Sequence, residues 1–300
     1  MKNKYQNIAV VVLNYMIIDE TRDLLKTLYS IYPEIKTIII DNGSSDIFVE
    51  ELIELAKKYN NIEVYHNKTN LGFARGNNIG IEIARLKGYK YIICSNSDIL
   101  FNDPLLLERL RYMMEEKDAA IIGPRVVNLK GQNQNPLLFS RPGRIEVSKI
   151  LFLNSFSGIL LRRILSDKGV GAARQIVKYF KKKVGKELDR SNSPGYVYAL
   201  SGAFLMFGPK FFEFYNGFYD GTFLYGEELI IGEMLYQKNL KAWYEPSVYV
   251  VHKEDRTNMA VFRGQERLKP LLYARQSVRL WYKLWKQNNH QKYREVRNSS

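Results

Sequence analysis

The first 125 residues alternate between short, continuous apolar runs and longer segments with amphipathic spacing. Uninterrupted Val and Ile runs are typical of strands that are buried on both faces of a parallel sheet. The predicted strands cover 8–13, 37–41, 62–66, 91–95 and 119–122, and the predicted helices cover 20–31, 47–59, 76–86 and 104–116. Strands and helices that alternate at this spacing predict an α/β fold with a doubly wound sheet.

Two small acidic clusters directly follow predicted strands. Residues 41–46 read DNGSSD, and residues 95–98 read SNSD. Ligands of open α/β sheets bind just outside the carboxyl ends of the strands, which is where both clusters fall. Asn96 and Asp98 supply the hard oxygen ligands that suit a divalent cation bound to phosphates. The pattern predicts a site for a phosphate-bearing ligand and a metal, although each cluster alone is also typical of a turn.

A third cluster, residues 70–80, holds three glycines and three asparagines around the expected start of a helix. Backbone N–H groups at a helix N-terminus, together with the guanidinium of Arg75, are suited to a diphosphate. The segment is not a P-loop, because no Gly-Lys-Ser/Thr follows.

An acidic pair and a late histidine mark the second half of the chain. Glu227 and Glu228 follow a loop rich in glycine and aromatic residues and begin a predicted helix over 227–237. A helix dipole favours acids in the first turn, and a carboxylate in an aromatic pocket can also act as a general base; both explanations stay open. His252 ends a predicted strand over 248–252 and is either structural or a metal ligand.

The net charge of +14 is concentrated in two segments, 149–190 and 262–300, which carry +8 each and leave −2 on the rest of the chain. Such segments bind polyanions, meaning an anionic membrane surface or nucleic acid. Acidic strand ends and the lack of a nucleic-acid-binding motif argue against nucleic acid, so no nucleic acid is expected as a partner. A solvated basic helix face with a homodimer contact is the alternative to membrane binding.

Other features bear on localisation. The sequence contains no run of 18 or more apolar residues, so it predicts no transmembrane helix. The apolar run after the N-terminal lysines is short and lacks a small-residue cleavage site, so it is expected to be a core strand and not a signal peptide. Cys94 is the single cysteine, which excludes an intrachain disulfide and fits a reducing cytoplasm.

Taken in order, these motifs resemble the family 2 inverting glycosyltransferases with the GT-A fold. The matching pieces are Asn14-Tyr15, 41–46, NLGFARGNN at 70–78, 96–98, SGAF at 201–204, the acidic pair and His252. They look closest to bacterial rhamnosyltransferase-like members that build capsule, O-antigen or other surface polysaccharides. The resemblance covers residues 7 to about 255, except for roughly 130–195. It predicts a GT-A domain over 1–255 with a basic helical insertion at about 130–195, followed by a basic amphipathic helical segment over 256–300.

The resemblance implies a role for each matching residue. Contacts to the donor nucleotide fall to Asn14, Tyr15, Asp41, Gly43, Gly72, Arg75, Asn78 and Asn96. Asp98 and His252 would bind Mg²⁺ or Mn²⁺ on the donor diphosphate, although Asn96 replaces the first acid of the family's motif. Ser201, Gly202 and Ala203 would line the acceptor side. Glu228 aligns with the catalytic base, and Glu227 is its rival.

The implied reaction is a single displacement that inverts the anomeric carbon. The donor would be dTDP-rhamnose or a UDP-sugar, and the acceptor a hydroxyl of a glycan or a polyprenyl-linked molecule. The enzyme is expected in the cytoplasm, peripheral on the inner face of the cell membrane. Two rivals are a sugar-nucleotide nucleotidyltransferase, whose Gly-rich basic loop is missing at 14–18, and a non-enzymatic polyanion-binding protein.

Overall fold

The computed structural model describes residue 5 and residues 7–155, 192–253 and 269–298. A nine-stranded mixed sheet lies at its centre. Its strands, β1 to β9, are Ile8–Asn14, Lys36–Asp41, Ile62–His66, Tyr91–Asn96, Ile99–Phe101, Ile121–Asn128, Gly195–Val197, Phe204–Phe207 and Ala242–His252. The helices of the described residues, α1 to α8, are Asp19–Ile31, Asp46–Ala56, Phe73–Leu86, Leu106–Glu116, Arg144–Leu153, Pro209–Phe212, Glu227–Gln237 and Lys269–Asn298.

The strand order is β3-β2-β1-β4-β8-β6-β9-β5, with β7 paired to β9. Strands β1 to β4 are mutually parallel, whereas β8 runs antiparallel to both β4 and β6. The predicted α/β class is therefore confirmed, with a sheet that is mixed and not wholly parallel. Strands β2 and β3 lie on one side of β1, and β4 lies on the other side. The order of strand addition therefore reverses beside β1, and ligands of such sheets bind at this point.

Both faces of the sheet are covered, which explains the continuous apolar runs. In β1, Val10 and Val12 pack into a cluster with α1, α2 and α4. Their neighbours Ala9 and Val11 pack into a second cluster with α3, α7 and α8. All four side chains are fully buried. A strand buried on both faces has no position for a polar residue, so its sequence cannot alternate.

Several predicted boundaries are wrong in the second half. The apolar and aromatic residues of 198–207 predict one strand, but only Phe204–Phe207 is a strand (β8), because residues 198–203 form a turn after β7. The intervening turn is held from outside the sheet, by a hydrogen bond of 2.9 Å from the Ser201 N–H to Asn135 Oδ1. The last strand is longer than predicted and β5 was not predicted at all, since three residues are too few to show a pattern.

The basic segments are only partly visible. Residues 156–191, most of the predicted insertion, lie outside the described residues, as does the predicted domain boundary near 255. The described part of the C-terminal segment is the helix α8, Lys269–Asn298. Across the described ranges, no helix is both long and apolar enough to cross a membrane.

Candidate active site

Polar residues meet where β1, β2, β3 and β4 end. The strand register pairs Asn14 with Asp41, Leu13 with Asn96, and Asp41 with His66. Three of the predicted donor contacts therefore share one edge of the sheet. Tyr15 follows β1 at the same edge and is half-buried. The predicted grouping of these residues is confirmed, since neighbouring parallel strands bring their carboxyl ends together.

Asp41 is the centre of this edge and is fully buried. Its Oδ1 accepts hydrogen bonds from Asn14 Nδ2 at 3.0 Å and from the Ser44 hydroxyl at 2.6 Å. Its Oδ2 accepts from the Ser44 N–H and from His66 Nδ1, each at 2.9 Å. A carboxylate offers about four acceptor positions. A direct contact between Asp41 and a nucleotide base would thus displace a present partner, and that contact stays a prediction.

Asn42 joins the first cluster to the third, a role that the sequence motifs did not indicate. Its Nδ2 donates to Asn70 Oδ1 and to the Gly72 carbonyl, each at 3.1 Å. Its Oδ1 accepts from the Leu71 N–H at 3.1 Å. Gly43 beside it has a φ of +89°, and the backbone at Thr69 and Asn70 leaves no space for a Cβ there. The two loops are therefore packed backbone against backbone.

The segment 70–80 differs from its predicted conformation. Helix α3 begins at Phe73 and not at 76, so Arg75 and Asn78 lie within the helix. The Phe73 N–H donates to the Phe223 carbonyl at 2.7 Å, and a Cβ on Gly72 would collide with that carbonyl oxygen. The N-terminus of α3 is thus covered by the loop that precedes α7, and this covering opposes the predicted binding of a diphosphate by its backbone.

Arg75 and Asn78 contact the same loop. Arg75 is exposed, and its Nε donates to the Asp220 carbonyl at 3.0 Å. Asn78 makes two hydrogen bonds to the backbone of Phe218, each of 2.8 Å. Asn78 Nδ2 donates to the Phe218 carbonyl, and Asn78 Oδ1 accepts from the Phe218 N–H. In this structure both side chains position the loop leading to the acidic pair. Their contacts to the donor stay predictions.

Asp98 and His252 are brought together by the pairing of β5 with β9. Asp98 is buried, and its Oδ1 has no hydrogen-bond partner in the described part of the chain, although it lies 3.2 Å from His252 Nε2. Among the described residues no group of three or more His, Cys, Asp or Glu side chains gathers at one point. A cation here would therefore draw its remaining ligands from elsewhere, for example from a diphosphate and water.

Gln134 fixes the orientation of this histidine. His252 Nδ1 lies 2.8 Å from Gln134 Oε1. An amide oxygen only accepts, so Nδ1 carries the proton and Nε2 of the neutral ring turns a lone pair towards Asp98 Oδ1. Two electron-rich atoms that face each other need a cation or a proton between them. The residues present therefore fit a divalent metal, with Gln134 as an outer-shell partner that the sequence motifs did not reveal.

Residues 201–203 connect the donor edge to the acidic pair. The Asn96 N–H donates to the Ala203 carbonyl at 2.9 Å, and the Gly202 N–H lies 3.3 Å from Glu228 Oε1. A Cβ on Gly202 would stand 2.7 Å from that oxygen, so only glycine lets the carboxylate approach this closely. Ser201 lies in the same turn and is buried.

The two acids begin α7 in different surroundings. Glu227 is buried and accepts a hydrogen bond of 3.0 Å from the Thr222 hydroxyl. Burial, with repulsion from Glu228, raises the pKa of Glu227 to about 7. Glu228 is half-buried, and desolvation also raises the pKa of its carboxyl. Glu227 is therefore suited to hold a proton near neutral pH. The contact to Gly202 places Glu228 nearer to the strand ends.

A mixed α/β sheet with amide, carboxylate and imidazole groups at its carboxyl edge defines the chain as a protein of the GT-A class. Residues 8–170, more than half of the chain, match the model of Glycosyl transferase family 2. The chain therefore belongs to glycosyl transferase family 2.

One sequence relative and two solved structures are similar to this chain. The poly-β-1,6-N-acetyl-D-glucosamine synthase of Staphylococcus epidermidis is 29% identical over 174 residues, which are 53% of this chain and 40% of the synthase. GalNAc-T7 with UDP, GalNAc and Mn²⁺ has a similar structure (TM-score 0.61, 13% identity, 94% of this chain and 50% of that one). Residues 1–349 of S. aureus TarS in complex with UDP-GlcNAc also have a similar structure (TM-score 0.52, 14% identity, 84% of this chain and 59% of that one). The chain spans less than two thirds of each, and the two structures share only its fold.

Proposed function

We propose that this protein transfers a sugar from a nucleoside-diphosphate donor to a hydroxyl of a glycan or a polyprenyl-linked acceptor, with inversion, in surface polysaccharide synthesis. One observation carries the proposal. The turn 201–203 is hydrogen-bonded on one side to Asn96, at the donor edge, and on the other to Glu228. A base held a few residues from the donor edge is the arrangement that a single displacement requires.

In the proposed reaction Glu228 removes the proton of the acceptor hydroxyl, and its raised pKa suits it to hold that proton. The acceptor oxygen forms a bond to the anomeric carbon from the face opposite the diphosphate. The bond from that carbon to the diphosphate oxygen breaks, and the nucleoside diphosphate leaves with its negative charge. Arg75, which is exposed beside the loop 217–226, would offset part of this charge.

A divalent metal, Mg²⁺ or Mn²⁺, would be held by Asp98 and by His252 Nε2. When bound, such an ion offsets the charge of the leaving diphosphate. The chain's own contribution is to hold the imidazole in one tautomer through Gln134. No residue that the structure describes donates a hydrogen bond to Asp98 Oδ1.

For the donor, a UDP-sugar is the first candidate and dTDP-rhamnose the second. The named relative makes a polymer of N-acetylglucosamine, and the two similar structures contain UDP or UDP-GlcNAc. A sugar-nucleotide nucleotidyltransferase is disfavoured, because residues 14–18 lack the Gly-rich basic loop that such an enzyme needs after its first strand.

The testing experiment compares Glu228→Gln with Glu227→Gln. UDP release from UDP-N-acetylglucosamine, and dTDP release from dTDP-rhamnose, are measured with polyprenyl-diphosphate-linked sugars as acceptors. Glu228→Gln is expected to lower turnover by about 10²- to 10⁴-fold, because the hydroxyl proton loses its acceptor. Its affinity for the nucleotide should stay unchanged in calorimetry.

Two results would contradict the assignment. A loss confined to Glu227→Gln would pass the role of base to the neighbouring acid. If no nucleoside diphosphate raises the melting temperature of the wild-type protein, with Mn²⁺ or with EDTA, the donor site itself is wrong, since a bound ligand must stabilise the folded state.

A further inference from the structure

The donor edge contains an exposed imidazole that the family motifs do not include. Of the side chains that donate to Asp41, Asn14 and Ser44 are buried, while the side chain of His66 is 34% exposed. Asp41 already has its four acceptor positions occupied. A ligand that arrives at this end of β2 and β3 therefore meets His66 before it meets the carboxylate.

The hydrogen bond to Asp41 determines what His66 offers such a ligand. A carboxylate only accepts, so His66 Nδ1 carries the proton in the contact of 2.9 Å to Asp41 Oδ2. In the neutral ring the other nitrogen, Nε2, is then an acceptor. The buried carboxylate thus acts as a positioning residue that fixes the tautomer, and Nε2 is the ring nitrogen left to contact a ligand.

We infer that His66 Nε2 reads the nucleotide base and selects one with a ring N–H at its pairing edge. Uracil and thymine present N3–H there, and guanine presents N1–H, whereas cytosine N3 and adenine N1 are acceptors that face Nε2 lone pair to lone pair. The inference rests on the proposed function, because it requires that the donor nucleotide lies at this strand edge. It assigns base selection to His66, with Asp41 acting through it.

The test uses two variants that divide the two ring nitrogens. His66→Asn retains an amide N–H near the Nδ1 position, and so the bond to Asp41, but has no atom at Nε2. His66→Gln places an amide near the Nε2 position, where its oxygen can accept. Calorimetry with Mn²⁺ then gives the affinities of the wild type and both variants for UDP and CDP. Melting temperatures without ligand confirm that each variant is folded.

The wild type should bind UDP about tenfold more tightly than CDP, the effect of one buried hydrogen bond gained instead of two acceptors opposed. His66→Asn should lose most of that preference by binding UDP more weakly, and His66→Gln should retain part of it. An unchanged preference in His66→Asn overturns the inference and leaves the proposed function intact. Equal binding of UDP and CDP by the wild type also overturns it. Absence of any nucleotide binding overturns both.

Discussion

At the scale of single residues, the close contact between Gly202 and Glu228 makes position 202 sensitive to substitution. We expect Gly202→Ala to lower turnover about 10²-fold, because a Cβ 2.7 Å from Glu228 Oε1 must displace the carboxylate from its position. Affinity for UDP should change little, since the donor edge is left intact. Steady-state kinetics and calorimetry measure the two effects separately.

The matched control is Gly195→Ala, because a Cβ at Gly195 would meet no atom within 4 Å. Gly195 lies in β7 and its replacement should leave turnover within about twofold. Equal losses in both variants would show that the effect of Gly202→Ala comes from the backbone and not from Glu228.

The raised pKa of Glu227 has a consequence for stability. A buried acid with a pKa of about 7 in the folded state, against 4.5 as its ordinary value, binds its proton more tightly when folded. As the pH rises from 4.5 to about 7, the unfolded chain loses this proton while the folded protein keeps it. The free energy of unfolding therefore falls progressively over this range. Because Gln cannot ionise, we expect Glu227→Gln to gain stability relative to the wild type over this range. Urea unfolding at about pH 5 and about pH 8 checks it; a constant difference contradicts it.

At the scale of elements, helix α8 holds helix α7 through a buried polar network. Arg141 pairs with Glu233 through Nε at 2.8 Å and Nη2 at 2.9 Å, and it also donates to the Trp285 carbonyl of α8. Tyr198 donates to Glu233 Oε1 at 2.7 Å and accepts from Trp281 Nε1 at 2.9 Å. Since α7 begins with the acidic pair, this network anchors the helix that carries the pair, at Glu233 in the middle of α7.

We expect Arg141→Met to cost about 3–5 kcal/mol in the free energy of unfolding, because it leaves the Glu233 carboxylate charged in a buried place. Adding Glu233→Gln should restore part of the loss, since the amide is neutral and can still accept. Urea unfolding measures all three proteins. Lys57→Met is the control: it breaks an exposed pair with Glu54 and should cost less than about 1 kcal/mol. Similar costs for both single variants would mean that the network is not stabilising.

Sequence patterns predicted the elements in proportion to their length and burial. The parallel strands β1, β2 and β4 were found because both of their faces are buried, and continuous apolar runs leave few alternatives. The three-residue strand β5 was not predicted, because its pairing with β9 is a long-range contact. The interruption at 198–203 was missed as well, since Asn135, more than sixty residues away, supplies the hydrogen bond that holds the turn.

The candidate site was predictable to the same degree. Residues at strand ends, such as Asn14, Asp41 and Asn96, follow from the topology of the sheet. Those that act through contacts distant in sequence, such as Gln134 and His66, carry no local signal that marks them. The contact of the segment 70–80 with the Phe223 carbonyl was not predictable for a related reason, since some 150 residues separate Phe73 from Phe223. Binding of a diphosphate by this segment stays a prediction.

At the scale of the whole molecule, the charge of +14 predicts binding to anionic membranes. Each Lys or Arg near such a surface contributes about 1 kcal/mol, and two segments of +8 supply more than enough. We expect the protein to float with vesicles that contain anionic lipid at moderate salt. Raising the salt to about 1 M should abolish flotation through screening.

Vesicles of zwitterionic lipid alone serve as the control and should not carry the protein. No flotation with anionic vesicles at moderate salt would contradict membrane binding and favour the alternative of a basic helix face in solvent. Flotation that persists at high salt would point to an apolar and not an electrostatic attachment.

The loop 217–226 carries one consequence for anyone who recombines this chain with its relatives. Asn78 and Arg75 are hydrogen-bonded to the backbone of this loop. The loop also covers the start of α3 and leads directly into the acidic pair. A chimera with a crossover between residues 80 and 215 would take the loop 217–226 from one parent and the residues that bind it, Arg75 and Asn78, from the other. Segments 70–78 and 217–228 therefore depend on each other, although some 140 residues separate them in the chain. They should be exchanged together.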